Sequence, residues 1–153
     1  MIRKIKRKDK ENWIKLYCGY ARFYKVPMKQ EILDTLWKWI HDEIHDVNGI
    51  CYELDNKIVG IAHYRTMPRP IKGKHICFLD DLFVDENFRG QKIAQKLIKY
   101  LETLSKDNNS CCIIATIVCN SIIVTKAQVD KPIRIVPSNA IKAVLVFLVI
   151  HIA

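Results

Sequence analysis

Two adjacent carboxylates interrupt an otherwise apolar stretch: Ile76 to Val84 reads ICFLDDLFV, with Asp80 and Asp81 at its centre. Acids inside an apolar strand are costly to bury unpaired. They either meet basic residues or face a polar cleft. A carboxylate in a cleft attracts a cationic amine and can accept its proton. Five residues after Val84, the run Arg89-Gly90-Gln91-Lys92-Ile93-Ala94 opens a segment with apolar residues at helical spacing: Ile93, Leu97, Ile98, Leu101 and Leu104. The first-turn amides of a helix have no intrahelical acceptor, and a glycine lets a ligand approach the backbone closely. Such a helix start favours an anion, and Arg89, Lys92, Lys96 and Lys99 add positive charge around it. The six cysteines form no CxxC pair and no zinc-like spacing with histidine, and none has a basic neighbour in sequence that would activate a thiolate. Neither a metal site nor a covalent cysteine mechanism is expected, and the thiols fit a reducing, cytoplasmic compartment.

The elements that must position these groups can be read around them. Ile2 to Lys6 alternates apolar and basic residues, as a short strand does. Asp9 is placed to cap a helix whose face is Trp13, Leu16, Tyr17, Tyr20 and Tyr24. Pro27 ends it. A second helix is expected from about Met28 to Asp46, with Ile32, Leu33, Leu36, Trp37 and Ile40 inward and Asn48-Gly49 as its stop. Gly49 to Glu53 and Lys57 to Met67 read as a hairpin around Asp55-Asn56. His63 and Tyr64 fall mid-strand on opposite faces, His63 as either a structural or a pocket residue. In the next strand, alternation puts Phe78, Asp80, Leu82 and Val84 on one face and Leu79, Asp81 and Phe83 on the other, unless a bulge breaks the rule.

Together, the strand Leu79-Asp80-Asp81-Leu82-Phe83-Val84, the turn and the Arg89 to Ala94 helix start resemble the acetyl-CoA-binding motif of the GNAT acetyltransferases, whose pattern is Arg/Gln-x-x-Gly-x-Gly/Ala. Arg89 and Ala94 fit the first and last positions, while Lys92 departs from the middle glycine. The strand looks like that of the branch containing diamine N-acetyltransferases. The resemblance covers about residues 2–109. It implies an α/β (α+β) fold with a mixed, mostly antiparallel central sheet flanked by helices. It also implies direct, ternary-complex transfer of an acetyl group from acetyl-CoA to a primary amine of a small molecule, with a polyamine or amino acid as candidate acceptors. On it, Asp80 takes the catalytic carboxylate position, and Tyr24 lies near the acceptor with Phe23 and Trp37. Leu82, Phe83 and Val84 lie along the pantetheine, and Arg89, Gly90, Gln91, Lys92, Ile93 and Ala94 hold the pyrophosphate. Read from the strands themselves, His63 and Asp81 are the further candidates, with Asp80, for facing the acceptor. Relatives are commonly homodimers.

Composition limits the alternatives. At 153 residues the chain suits one domain with a substantial core. The formal charge of +9 favours an anionic partner. Six of the first ten residues are Lys or Arg, but no aromatic interleaves with them, so a nucleic-acid arm lacks a stacking platform. No signal-peptide core follows this basic start, and the apolar run from Ala143 to Ala153 is shorter than the roughly 20 residues a membrane span needs. The tail differs in character: 36 of the first 109 residues are charged against 5 of the last 44. Short strands are expected within residues 111–119, 122–125 and 133–136, with an apolar segment from Asn139. The tyrosine that relatives use to protonate the departing thiolate has no counterpart after Tyr100. Residues 110–153 are therefore expected to be a divergent or frameshifted tail. The rival readings are a CoA-binding pseudoenzyme or inactive fragment and, less favoured, a basic nucleic-acid-binding module.

Overall fold

A computed structural model describes residues 1–107 and, beyond them, the backbone of three short strands. The central sheet runs β1 (Ile2–Lys4), β2 (Val47–Leu54), β3 (Lys57–Arg69), β4 (Lys74–Val84) and β5 (Ile113–Ala115), in that spatial order. The first four strands are mutually antiparallel, and β5 lies parallel to β4. Strands β6 (Ile123–Val124) and β7 (Ile135–Val136) pair with each other. These three strands fall within the tail segments expected to be extended. The origin of the tail and the segment from Asn139 lie outside the described residues.

Helices cover both faces. Helix α1 (Lys10–Phe23) packs on β3 and β4, and α2 (Gln30–Trp39) joins it on the same side. Helix α3 (Ile93–Asp107) packs on β4, β3 and β2 from the other side. Two apolar clusters result. Trp13, Leu16, Leu33, Leu36, Trp37, Ile61 and Phe83 fill one, and Val59, Ala62, Tyr64, Leu79, Val84, Ile93, Leu97 and Leu101 fill the other. Parallel pairing of β4 with β5 requires a crossover, and α3 supplies it. The β2–β3 hairpin turns through Asp55 (φ 48°) and Asn56 (φ 59°), the left-handed pair that a two-residue turn demands. Pro68 is tolerated in β3 because β2 pairs no further than Arg65, leaving β3 only one neighbour there.

Three local expectations are corrected. Helix α2 ends at Trp39, not near Asp46, and turns carry the chain from Ile40 to β2. Ile32, expected inward, is exposed. Asp9 stands at the head of α1 but its side chain makes no cap hydrogen bond. Its carboxylate is taken instead by Arg3, whose Nη1 and Nη2 donate at 2.6 and 3.0 Å, and by the Lys6 amide at 2.7 Å. Arg3 also donates to both Glu53 oxygens at 2.7 and 3.0 Å. This planar fork joins β1, β2 and the start of α1.

Burial opposes the charge on Asp9, but the Arg3 and Lys6 hydrogen bonds outweigh it and hold its carboxyl below the usual range. A depressed carboxylate stabilises the fold above its unfolded pKa and loses that contribution as pH falls through the folded value. We expect Arg3→Ala to cost about 3 kcal/mol at neutral pH, because it strands a buried carboxylate. The loss should shrink in acid, where Asp9 is protonated. Urea unfolding at several pH values reads both effects.

Candidate active site

The acidic pair sits at a break in strand register. Pairing of β3 with β4 runs His63 to Asp81 and then Tyr64 to Leu79, so Asp80 is an extra residue with no partner. Such a bulge bends the strand and re-aims side chains. Simple alternation therefore fails here. Leu79 joins Val84 and the partly buried Leu82 under α3, Phe83 packs under α1, and Asp80 and Asp81 both line one cleft. The cleft has a volume of about 620 Å³. His63 and Arg65 of β3 and Tyr17 of α1 complete its polar wall. From α2, Ile32, Leu36 and Trp39 supply an apolar side and Glu31 a further acid.

The two carboxylates have different surroundings. Asp81 Oδ2 accepts from His63 Nδ1 at 2.9 Å and from the Tyr17 hydroxyl at 3.3 Å. Burial disfavours its charge, yet hydrogen bonds from His63, Tyr20 and Tyr17 prevail and keep its carboxyl below the ordinary range. Burial pushes the hydroxyls of Tyr17 and Tyr20 up, reinforced by the Asp81 charge, so both remain donors. Behind Asp81, His63 is 1% exposed and its Nε2 accepts from the Trp13 indole at 2.9 Å. An indole can only donate, so the His63 proton stands on Nδ1. Asp80 is less well satisfied. Arg65 Nη2 lies 3.0 Å from Oδ1, while Oδ2 is buried with no hydrogen-bond partner among the described residues. Burial first, then the Asp81 charge, raise the Asp80 carboxyl above the usual range against the opposing pull of Arg65.

Helix α1 reaches this wall because Gly19 faces the Phe83 ring, where an added Cβ would lie 2.8 Å from Cζ. Tyr17, Tyr20 and Trp13 are thereby carried over β3 and β4. Of the residues expected to face the acceptor, His63, Asp80 and Asp81 line the cleft. Tyr24 caps the end of α1 and packs against Tyr20 and Phe23, and it is not a lining residue. Phe23 is exposed and Trp37 is core, packed on Trp13. The tryptophan in the cleft wall is Trp39. Sequence reading missed Arg65, Glu31, Trp39 and the hydrogen-bonding role of Tyr17. Only Tyr17 carried a signal, as part of the aromatic face of α1.

At the far end of β4 the chain makes a short 3₁₀ turn, Glu86–Phe88, and enters α3 at Ile93. Gly90 has φ 81° with open space where a Cβ would be, and Lys92 has φ 59°. Lys92 thus adopts, at some cost, the left-handed backbone that glycine takes freely. Among the described residues, no backbone or side-chain acceptor takes the amides from Gly90 to Gln95, whereas Lys96 N–H begins the helical ladder on the Lys92 carbonyl at 3.0 Å. The Arg89 guanidinium lies over the Phe83 ring at 5.6 Å and donates to the Val84 carbonyl at 3.3 Å. Arg89, Gln91 and Lys92 are exposed and Ala94 half-buried, while the Ile93 side chain is core. Pairing of β5 stops at Leu79, so the outer edge of β4 from Asp80 to Val84 has no described strand beside it.

Other chemistries find less support among the described residues. No group of three His, Cys, Asp or Glu side chains could hold a metal ion, and no helix is long and apolar enough to cross a membrane. The buried Cys51 thiol is pushed up to about 12 by burial, which removes nucleophilic thiolate at neutral pH.

Known proteins share this framework. A curated relative, a D-amino-acid N-acetyltransferase of Saccharomyces cerevisiae, is 25% identical over 103 residues, which is 66% of this chain. The chain spans 64% of that relative's length. Among solved structures, a ribosomal-protein-alanine N-acetyltransferase from Brucella melitensis biovar Abortus 2308 superposes with a TM-score of 0.66 at 20% identity, covering 75% of this chain and 78% of that one. An aminoglycoside acetyltransferase from an uncultured soil metagenomic sample, in complex with sisomicin, gives 0.62 at 19%, covering 76% of each. At these identities the structures speak for the fold alone. The family model described as acetyltransferase (GNAT) matches residues 11–122, past Asn109, where the motif resemblance ends. A match over most of the chain, on a sheet and helix arrangement of the same kind, shows that this protein belongs to the GNAT acetyltransferase family.

Proposed function

We propose that the protein is an N-acetyltransferase that moves an acetyl group from acetyl-CoA directly to a primary amine of a small molecule. The observation that carries this reading is Asp80, whose buried Oδ2 has no partner among the described residues, in a cleft beside a stretch of β4 with no described strand on its outer edge. Family membership supplies the acyl-transfer class.

The residues suit acetyl-CoA. Unpaired amides from Gly90 to Ala94 at the head of α3, with Arg89 and Lys92 alongside, would hold its diphosphate. Backbone groups of Leu82 to Val84, on an edge of β4 with no described strand beside it, would hold the pantetheine amides as an added strand. Bound acetyl-CoA brings an activated acetyl thioester. The protein's own task is to deliver a neutral amine, since an ammonium has no lone pair for attack. The Asp80 carboxylate draws in the cationic acceptor and takes its proton, directly or through one water. Arg65 keeps the other oxygen engaged and the carboxyl oriented. Glu31 and the acidic pair favour a cationic acceptor, and the walls of Ile32, Leu36 and Trp39 favour one with an apolar body. The names of relatives are compatible with acceptors from amino acids to aminoglycosides.

The absence of tyrosine after Tyr100 favours one other reading, a CoA-binding protein without turnover. A thermal shift with acetyl-CoA, followed by thiol release with a panel of amines, separates the two. Stabilisation with amine-dependent release supports the enzyme, stabilisation alone supports the pseudoenzyme, and neither response removes both. Asp80→Asn should lower kcat by roughly 10²-fold or more, the usual worth of a general base, while leaving acetyl-CoA affinity intact. Unchanged turnover would exclude Asp80. In the wild type, kcat/KM should fall as pH drops through the raised Asp80 pKa, because only the carboxylate accepts a proton. Gly90→Val places a β-branched residue at φ 81° and should weaken acetyl-CoA binding. Normal affinity in calorimetry would argue against the diphosphate assignment.

A further inference from the structure

We infer that Trp13, His63 and Asp81 act as a positioning device for Asp80: a chain of fixed donors pins a negative charge beside it, so that a proton entering the cleft goes to Asp80 and not to Asp81. The inference rests on the reading of Asp80 as the amine's proton acceptor. It reassigns His63 and Asp81 from acceptor contact to support.

The chain has one direction. The Trp13 indole has a proton and no acceptor atom, so it commits His63 Nε2 to accepting at 2.9 Å. His63 must then offer Nδ1–H to Asp81 Oδ2, also at 2.9 Å. The Tyr17 hydroxyl converges on the same oxygen at 3.3 Å. A protonated Asp81 would gain less from these donors than the carboxylate, which each of them stabilises. All but one residue of the chain is sealed: Trp13 is 0% exposed and His63 1%, while the Asp81 side chain retains 18% on the cleft side.

The bulge converts this into an effect on Asp80. In a regular strand, adjacent residues point to opposite faces. With Asp80 extruded from the pairing, both acids face the same cleft. The groups around Asp80 are then Arg65 and His63 from β3, Asp81 from its own strand, Tyr17 from α1 and Glu31 from α2. Of these, Arg65 is the cation in direct contact, and it reaches only Oδ1. Oδ2 is buried, has no hydrogen-bond partner among the described residues, and lies under the field of a carboxylate that its own donors keep ionised. Two like charges at one site do not ionise alike, and the one with fewer donors takes the proton. The proton leaves the acceptor nitrogen and arrives on the Asp80 carboxylate. The nitrogen keeps its electron pair for attack.

Carbon-13 NMR titration of aspartate carboxyl carbons in the full-length protein tests this without needing turnover. In the wild type, Asp80 should titrate at higher pH than Asp81. In Asp81→Asn, which keeps an oxygen for His63 but removes the charge, the Asp80 midpoint should move to lower pH. The reverse order in the wild type overturns the inference, even should the variant fail to fold. So does an unmoved Asp80 midpoint in a folded variant. The acidic limb of kcat/KM should move down with the midpoint. If the midpoint moves and the limb stays, the coupling stands and the assignment of Asp80 as base is what fails. A purely structural Asp81 would change the melting temperature and leave both midpoint and limb in place.

Discussion

A single unpaired residue in β4 governs the arrangement of the cleft. The shift that leaves Asp80 without a partner allows Leu79 and Val84 to share the buried face under α3 while two consecutive acids face the opposite side. Without it, one acid would point into an apolar cluster, where an unpaired charge is untenable. The bulge thus resolves a conflict written into the sequence: an apolar strand that must carry adjacent carboxylates. It also ends the regularity of β4 near the point where β5 stops pairing, so from Asp80 onward the strand's outer edge has no neighbour among the described residues. An acid-lined cleft and a strand edge with no described neighbour meet at one place.

The rest of the fold holds that strand in position from both sides. Helix α3 anchors Leu79 and Val84 through Leu97 and Leu101, and its own start presents the free amides. Helix α1 presses on Phe83 through the bare backbone of Gly19 and brings Trp13 and Tyr17 to His63 and Asp81. The Arg3 fork ties the beginning of α1 to β1 and β2, well away from the cleft. At two places among the described residues a rigid donor fixes carboxylates held largely out of solvent: the guanidinium at Asp9 and Glu53, the indole–imidazole pair at Asp81. Satisfied networks of this kind favour one arrangement over its neighbours, because any alternative strands a buried charge.

Much of this was legible in the residues. Spacing at 3.6 placed α1 and α3, Asp55-Asn56 marked the hairpin, and the Arg89 to Ala94 pattern marked the helix start that family membership now explains. The errors have local causes. Helix α2 is shorter than expected because the residues after Trp39 form turns before β2, where no proline or glycine gives the stop away until Gly49. Asp9 has the right type and place for a cap, but a buried guanidinium competes for its oxygens and wins. Tyr24 and Trp37 were grouped with the acceptor by analogy, and the structure gives the cleft wall to Tyr17 and Trp39.

By itself the sequence determined the fold class, the strand–turn–helix unit and the presence of two adjacent acids in an apolar strand, since these follow from periodicity, turn chemistry and the cost of buried charge. It could not say which acid does what. Asp80 and Asp81 are identical in type and adjacent in the chain, so nothing local separates them. Only the tertiary structure does, by breaking register at one residue and bringing Trp13 and His63, fifty positions apart, onto one acid while Arg65 meets a single oxygen of the other. That difference depends on contacts between strands and a helix distant in sequence, and no spacing rule contains it.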